Sequence, residues 1–193
     1  FYGPNITPHP ERGIGDWSVE DLTGALHRGE SPGGAHYYPV FPYTSYTRMR
    51  RSDIEDLHAY LRTVPASDRA NREHDIPWLL GFRFLNWFWK LFFFDEGRWE
   101  VRADESEAWN RGGYIANALS HCGECHSPRN FAGAVDTGRH LAGNPEGPEG
   151  ALVPNITPHE EDGVGLWSPI DLVTYLTSGE LPDGDYAGGV MAE

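Results

Sequence analysis

A stretch of forty residues near the start of the chain returns near its end. Residues 4–43, PNITPHPERGIGDWSVEDLTGALHRGESPGGAHYYPVFPY, align without a gap with residues 154–193, PNITPHEEDGVGLWSPIDLVTYLTSGELPDGDYAGGVMAE, and 19 of the 40 positions are identical. Pro4 to His9 match Pro154 to His159 throughout, and Gly13, Gly15, Trp17, Ser18, Asp21, Leu22, Leu26, Gly29 and Glu30 all recur. The offset far exceeds the period of about 20–50 residues that builds a solenoid. Two homologous domains are the expectation.

Each copy predicts one short helix. Ser18 and Ser168 stand at the N-cap with Asp21 and Asp171 three residues on, as in a capping box. Pro169 suits the first helical position, and Gly29 and Gly179 suit a left-handed stop. Leu22, Ala25 and Leu26 form one copy's apolar face, and Leu172, Tyr175 and Leu176 the other's. The Gly-x-Gly-x-Trp turn before each helix lacks the strand-then-helix setting of a phosphate loop.

The chemistry is carried by Cys122-Gly123-Glu124-Cys125-His126, which holds both cysteines of the chain. The spacing C-x-x-C-H is that of c-type haem attachment. Thiols at i and i+3 reach the two vinyl groups of one haem, and the adjacent imidazole can ligate its iron. A redox dithiol calls for a strand before the motif. A zinc site calls for a second ligand pair, and a buried structural pair is the plainest alternative. The segment from Ala108 to Leu119 reads instead as a helix leading into the motif, with Trp109, Tyr114, Ile115, Ala118 and Leu119 on its apolar face. Ser127-Pro128-Arg129-Asn130 and the Gly-rich run to Gly150 read as loop around a ring edge. Met191, in a Gly-Gly-Val-Met segment, is the candidate sixth ligand, a thioether that raises the potential; filling a core gap is its other reading.

Composition narrows the classes. An excess of 29 Asp+Glu over 15 Lys+Arg, a net charge of −14, argues against a nucleic-acid binder and against docking on anionic lipid by charge alone. Gly 23 and Pro 15 imply much loop, so haem burial would supply part of the core.

Together PNITPHPERGIGDWS, YYPVFPYTSYTRM, WNRGGYIANALSHCGECHSPRN and PNITPHEEDGVGLWS resemble the multi-haem cytochrome c subunits of bacterial membrane-associated dehydrogenases. Alcohol, gluconate and sorbitol dehydrogenases and some molybdenum hydroxylases carry such subunits. The resemblance implies an all-α chain of two tandem class I-like cytochrome c domains, each with its own C-x-x-C-H and a distal Met. It implies electron transfer from a dehydrogenase catalytic subunit towards quinone, a terminal oxidase or a soluble cytochrome. Trp17 and Trp167 are then expected near haem edges, with core packing as the alternative. Asn5, Thr7, Asn155 and Thr157 are expected to fix the loop before the glycines. Haem c is attached outside the bacterial cytoplasm, so a periplasmic protein is expected, membrane-associated through a partner or an anchor.

On this reading residues 1–66 form a first domain, 67–103 an aromatic connector and 104–193 a second domain. Both domains are expected to be incomplete here. Only three residues precede Pro4, whereas the motif begins 32 residues before Pro154. The first domain's attachment motif and second haem are therefore expected outside this chain. Ser52-Asp53-Ile54-Glu55 reads as a capping box opening a closing helix through Leu57 and Leu61, which the second domain lacks. Phe41 aligns with Met191 and cannot bind iron; many relatives have Met there. Met49 is the candidate distal ligand of the first haem, His36 a weaker one. A surface Met among Arg48, Arg50 and Arg51 is the alternative.

Ile76 to Phe94, IPWLLGFRFLNWFWKLFFF, is long and apolar enough to suggest a membrane span. Arg83, Asn86 and Lys90 inside it argue for an aromatic connector packed between domains, with an interfacial surface as the runner-up. Asp95 to Glu107 reads as solvated acidic loop. No Ser/His/Asp order, phosphate loop or carboxylate pair is evident, so electron transfer without catalysis is the leading class. The rivals are a haem enzyme with an open axial site, of the dihaem peroxidase or thiosulfate-oxidising type, and a gas-sensing haem module.

Overall fold

In a computed structural model describing residues 1–188 and 191, the two repeats build the same local structure. In each, the TPH segment turns back on the glycines. Ile14 N donates to Thr7 O, and Val164 N to Thr157 O, both at 2.9 Å. A Cβ on Gly13 or Gly163 would run into that threonine's carbonyl, and on Gly15 or Gly165 into the following proline's. The glycines are thus needed for close backbone approach, not for a phosphate. The histidine that ends the motif closes the turn: Nδ1 of His9 accepts from Glu11 N and Arg12 N, and Nδ1 of His159 from Glu161 N and Asp162 N.

The helix that follows is capped as the sequence predicts. α1, Val19–Arg28, has a full Ser18/Asp21 capping box and ends on left-handed Gly29. A tight turn then pairs Glu30 with His36, and the second repeat pairs Glu180 with Tyr186 in the same way. Beyond residue 188 the repeat's Gly189, Val190, Ala192 and Glu193 lie outside the described residues.

After α1 come the short α2, Tyr43–Tyr46, and α3, Arg51–Leu61. The capping box expected at Ser52 is not formed. α3 starts earlier, with Arg50 at its N-cap and no side-chain cap. Glu55, the acid of that box, pairs instead with Arg51 Nε at 2.8 Å, while the Asp53 carboxylate accepts from the Tyr114 hydroxyl. The aromatic stretch holds a 3-10 turn, Trp78–Gly81, and α4, Phe84–Phe93. No helix of the described residues is long and apolar enough to cross a membrane. Next come α5, Glu107–Tyr114, continued by a π turn, Ile115–Leu119, then α6, Gly123–His126, and α7, Pro169–Ser178, opened by the Ser168/Asp171 capping box. Among the described residues pairing between extended segments is limited to isolated bridges, as an all-α reading expects.

The chain divides into two compact units, Phe1–His121 and Cys122–Glu193. In the first, Leu22, Leu26, Met49, Ile54, Tyr114 and Ala118 form a buried core, flanked by Trp17, Phe41, Tyr46, Leu57, Trp99 and Leu119. α5 therefore belongs to this unit, where Tyr114 reaches the start of α3. Tyr114 and Ala118 are buried as expected of the helix, whereas Trp109 and Ile115 are exposed. The 95–107 loop is not wholly solvated, since Trp99 packs on this core and its amide donates to Arg48 O.

In the second unit the same repeat packs differently. Leu26 of α1 is 5% exposed; its counterpart Leu176 of α7 is 73% exposed. The remainder of this unit is loop, held by 3-10 turns at Thr137–Arg139 and Pro148–Gly150 and by the bridges Arg129–Val135 and Asn144–Val153.

Candidate haem-attachment site

Cys122 to His126 folds as one helical turn, with the amides of Cys125 and His126 both directed at the Cys122 carbonyl, at 3.3 and 3.0 Å. Positions i, i+3 and i+4 of such a turn share a face, so the two sulfurs and the imidazole are presented together. The approach is distinctive. The π turn ends just before the motif, and His121 has φ 45°, a left-handed conformation uncommon outside glycine. Both thiols are free of disulfide bonding. Burial, reinforced by Cys125 nearby, pushes the Cys122 thiol above its usual range. A reactive redox cysteine needs the opposite shift. Among the described residues no group of three His, Cys, Asp or Glu side chains could hold a bare metal ion.

The imidazole is oriented by the repeat. Nδ1 of His126 lies 2.8 Å from the carbonyl oxygen of Pro154. A carbonyl can only accept, so Nδ1 carries the proton and Nε2 is left for iron. Pro154 opens the second PNITPH segment, which ties the repeat to the chemistry. The sequence signal was present, a proline repeated at 4 and 154, but it does not show that a backbone oxygen does the work.

The loop behind the motif fixes this geometry. Gly143 N donates to the His126 carbonyl at 2.8 Å. Its φ is +85°, and a Cβ there would stand 3.0 Å from Asn155 N and Val153 O. Leu141 N donates to the buried Ser127 hydroxyl, and Ile156 N to Leu141 O, both at 2.9 Å. Within the motif, a Cβ on Gly123 would meet the His140 ring at 2.5 Å, so the first spacer residue has no room for a side chain. The second spacer, Glu124, pairs with Arg129 at 2.9 Å.

The other candidate residues fall in several places. Asn155 Oδ1 accepts from Thr157 N at 2.8 Å, and Asn5 Oδ1 from Thr7 N at 3.0 Å, so both asparagines shape the loop before the glycines. Asn5 also donates to the carbonyls of Ser67 and Arg69. Trp167 packs edge-on to Tyr175 of α7, ring centroids 5.4 Å apart. Met191 is exposed and lines an open cleft with Tyr175, Leu176, Gly179 and Tyr186; the residues lining that cleft come from α7 and the turn after it, not from the motif. Trp17 flanks the core of the first unit, and its carbonyl accepts from His58 Nε2 at 2.9 Å. Met49 is buried in that core, not on the surface among its arginine neighbours, and its carbonyl meets Nε2 of buried His27 at 3.0 Å. His36 is engaged at Nδ1 by Lys90 at 2.9 Å. Phe41 packs edge-on against Tyr37 and Tyr46.

No protein-family model matches the chain. It is 47% identical over 194 residues to a diheme cytochrome c-type protein of Cereibacter sphaeroides, with all of this chain and 64% of that protein aligned. The chain is homologous to c-type cytochromes. It is also 38% identical over 195 residues to the fructose dehydrogenase cytochrome subunit of Gluconobacter japonicus, covering 40% of it. Against the gluconate 2-dehydrogenase cytochrome c subunit of Pantoea cypripedii it is 34% identical over 198 residues, covering 45%. The chain thus spans less than two thirds of the length of these relatives, whose names match the resemblance drawn from its motifs.

Haem c fits the residues present. Two unbridged thiols and a histidine whose other nitrogen is already committed lie on one helical face. Cys122 and Cys125 would hold the porphyrin by thioethers, and His126 would hold its iron.

Proposed function

We propose that this cytochrome c homologue is an electron relay, accepting electrons from the catalytic subunit of a dehydrogenase and passing them to quinone, a terminal oxidase or a soluble cytochrome. The observation that carries the reading is the His126–Pro154 hydrogen bond, which leaves one imidazole nitrogen for iron beside two thiols at attachment spacing. The names of the relatives support the dehydrogenase partner. None of those names carries a peroxidase or thiosulfate-oxidising activity, so the haem-enzyme alternative is not favoured.

Bound haem c supplies a one-electron Fe(III)/Fe(II) couple. His126 would hold the metal through Nε2, with the Pro154 carbonyl fixing its ring and Gly143 N its main chain. Met191 would supply a thioether to that iron in this reading, and Met49 would supply one to a second haem. Two tandem cytochrome c domains are part of this reading. The protein is placed in the periplasm, where c-type haem is attached.

The test is expression with the haem-maturation machinery, followed by redox titration of wild type and Met191→Ala. The expected wild type is coloured and carries the near-infrared-edge absorption of Met-ligated ferric haem. The variant should lose that band and fall in potential by on the order of 0.1 V, a fraction of the ~0.8 V range that axial ligands span. A colourless product from the Cys122 and Cys125 wild type would defeat the reading. Tight CO binding by the reduced wild-type haem would favour a haem enzyme or sensor instead.

A further inference from the structure

Pro154 cannot fasten itself. It has no N–H, and its carbonyl oxygen is the atom that meets Nδ1 of His126 at 2.8 Å. Its place is therefore set by the bonds on either side. Val153 N donates to Asn144 O and Asn144 N to Val153 O, both at 2.9 Å, and Ile156 N donates to Leu141 O at 2.9 Å. All three run to the segment 141–144. That segment is held to the motif in turn by Gly143 N, which donates to His126 O at 2.8 Å, and by Leu141 N, which donates to the Ser127 hydroxyl at 2.9 Å.

These bonds close a ring. It runs from the His126 imidazole to Pro154, along the chain to Ile156, across to Leu141, and through the Ser127 hydroxyl back to the residue bonded to His126. Of the bonds that place Pro154, the one to Ser127 is made by a side chain; the rest join backbone groups that any sequence supplies. Ser127 is wholly buried, so water cannot take over from a lost hydroxyl. The hydroxyl also lies 3.5 Å from Nδ1 of His140, which can take its proton and leave a lone pair for Leu141 N. Leu141 commits its amide to one side of the ring and its carbonyl to the other. It does so at φ 63°, in the left-handed region that leucine rarely occupies. Such a conformation persists where the surrounding bonds over-determine it, and it gathers at functional sites.

We propose that Ser127 is a positioning residue of the haem site: its hydroxyl, acting through Leu141 and Ile156, sets the His126–Pro154 bond and thereby the basicity of the imidazole offered to iron. This role rests on the reading of Cys122 to His126 as a haem-attachment turn. The experiment compares Ser127→Ala, Ser127→Thr and Ser127→Val in the full chain carrying haem. Thr and Val fill the same space and differ in the hydroxyl, so a role in packing alone would move them together. Ser127→Ala and Ser127→Val should favour Fe(II) by about threefold over wild type, a midpoint roughly 30 mV higher at 59 mV per tenfold. Ser127→Thr should keep the wild-type midpoint. Amide hydrogen exchange of the reduced protein is the second readout. Leu141 and Ile156 should exchange about tenfold faster or more in Ser127→Ala and Ser127→Val, and at the wild-type rate in Ser127→Thr. Where neither Thr nor Val folds, Ser127→Ala against wild type carries both readouts. The proposal is overturned if Thr and Val shift alike, if no variant moves the midpoint, or if Leu141 and Ile156 stay protected in Ser127→Ala. A colourless wild type would defeat the haem reading, and with it the effect on iron, whereas coloured variants with unmoved midpoints would overturn the role of Ser127 alone.

Discussion

Nδ1 of His126 and the carbonyl oxygen of Pro154 are 2.8 Å apart across 28 residues of chain. This contact sets which ring nitrogen can meet iron, and a carbonyl accepting from the far side raises the basicity of the ligand. Gly143 holds the contact from behind, at φ +85° and with Asn155 N and Val153 O 3.0 Å from where a Cβ would sit. Gly143→Ala should therefore lower stability by about 1–3 kcal/mol while haem still attaches. The weakened bond should raise the midpoint potential, since a less basic imidazole stabilises Fe(III) less. Redox titration alongside a denaturant melt checks both, and an unchanged potential would show that the carbonyl contact does not tune the iron.

Tyr114 links α5 to the start of α3. Its hydroxyl donates to Asp53 and accepts from Arg50 N at 3.0 Å, and its ring is wholly buried. Tyr114→Phe keeps the packing but removes the polar bridge between Arg50 N and Asp53 at the start of α3. The expected loss is about 1–2 kcal/mol by urea denaturation, whereas Ser52→Ala should change stability by less than about 0.5 kcal/mol. A large effect at Ser52 would restore the capping-box reading.

Lys90 makes alkaline stability informative. Burial lowers its pKa from 10.5 to about 8. Between those values the unfolded chain binds the proton and the folded one releases it, so this residue's contribution grows as pH rises from about 8 to 10.5 and is lost as pH falls through 8. The stability of wild type relative to Lys90→Met should increase over that window. The comparison cancels Tyr114, whose pKa burial raises and which works the other way above pH 10. His36, accepting from Lys90, is lowered by burial and then by the Lys90 charge; its share of stability is lost on acidification below its ordinary value of 6.5. Melts from pH 5 to 10 would measure both limbs. A wild-type advantage that stays flat from pH 8 to 10 would mean that Lys90 remains charged.

The repeat glycines should respond in pairs. A Cβ on Gly13 or Gly163 collides with a threonine carbonyl that cannot swing away, so Gly13→Ala and Gly163→Ala should each cost at least about 2 kcal/mol in their own unit. Gly33, with only the Ser31 hydroxyl 3.9 Å from its Cβ position, should accept Ala within about 0.5 kcal/mol. Hydrogen exchange resolved by segment can read the units separately. Equal tolerance at Gly13 and Gly33 would mean that the TPH turn is loosely held.

Local features were legible because they are written in adjacent residues. Ser18 and Ser168 cap as their Asp at N3 suggests, and Gly29 and Gly179 end their helices in the left-handed region. Ser52 misled because α3 starts before it, at Arg51, and Glu55, the acid of the expected box, pairs with Arg51 at 2.8 Å. Met49 could not be placed because its arginine neighbours suggest solvent, whereas α1, α3 and α5 converge over its side chain. The apolar stripe of α4 was visible, but its direction was not; periodicity marks a face without saying which side is fastened.

The amino-acid sequence alone determined the chemistry available here: two thiols and an imidazole in one turn, a duplicated loop-and-helix unit, and a charge unsuited to nucleic acid. Those depend on covalent order and on helical geometry over a few residues. Only the tertiary structure decided that Pro154 rather than a side chain orients His126, that Tyr114 bridges Arg50 and Asp53 at the start of α3, and that Lys90 fastens the inner side of an aromatic helix. Each of these joins groups distant in the chain, and such partners are chosen by burial and by the need to satisfy buried polar atoms.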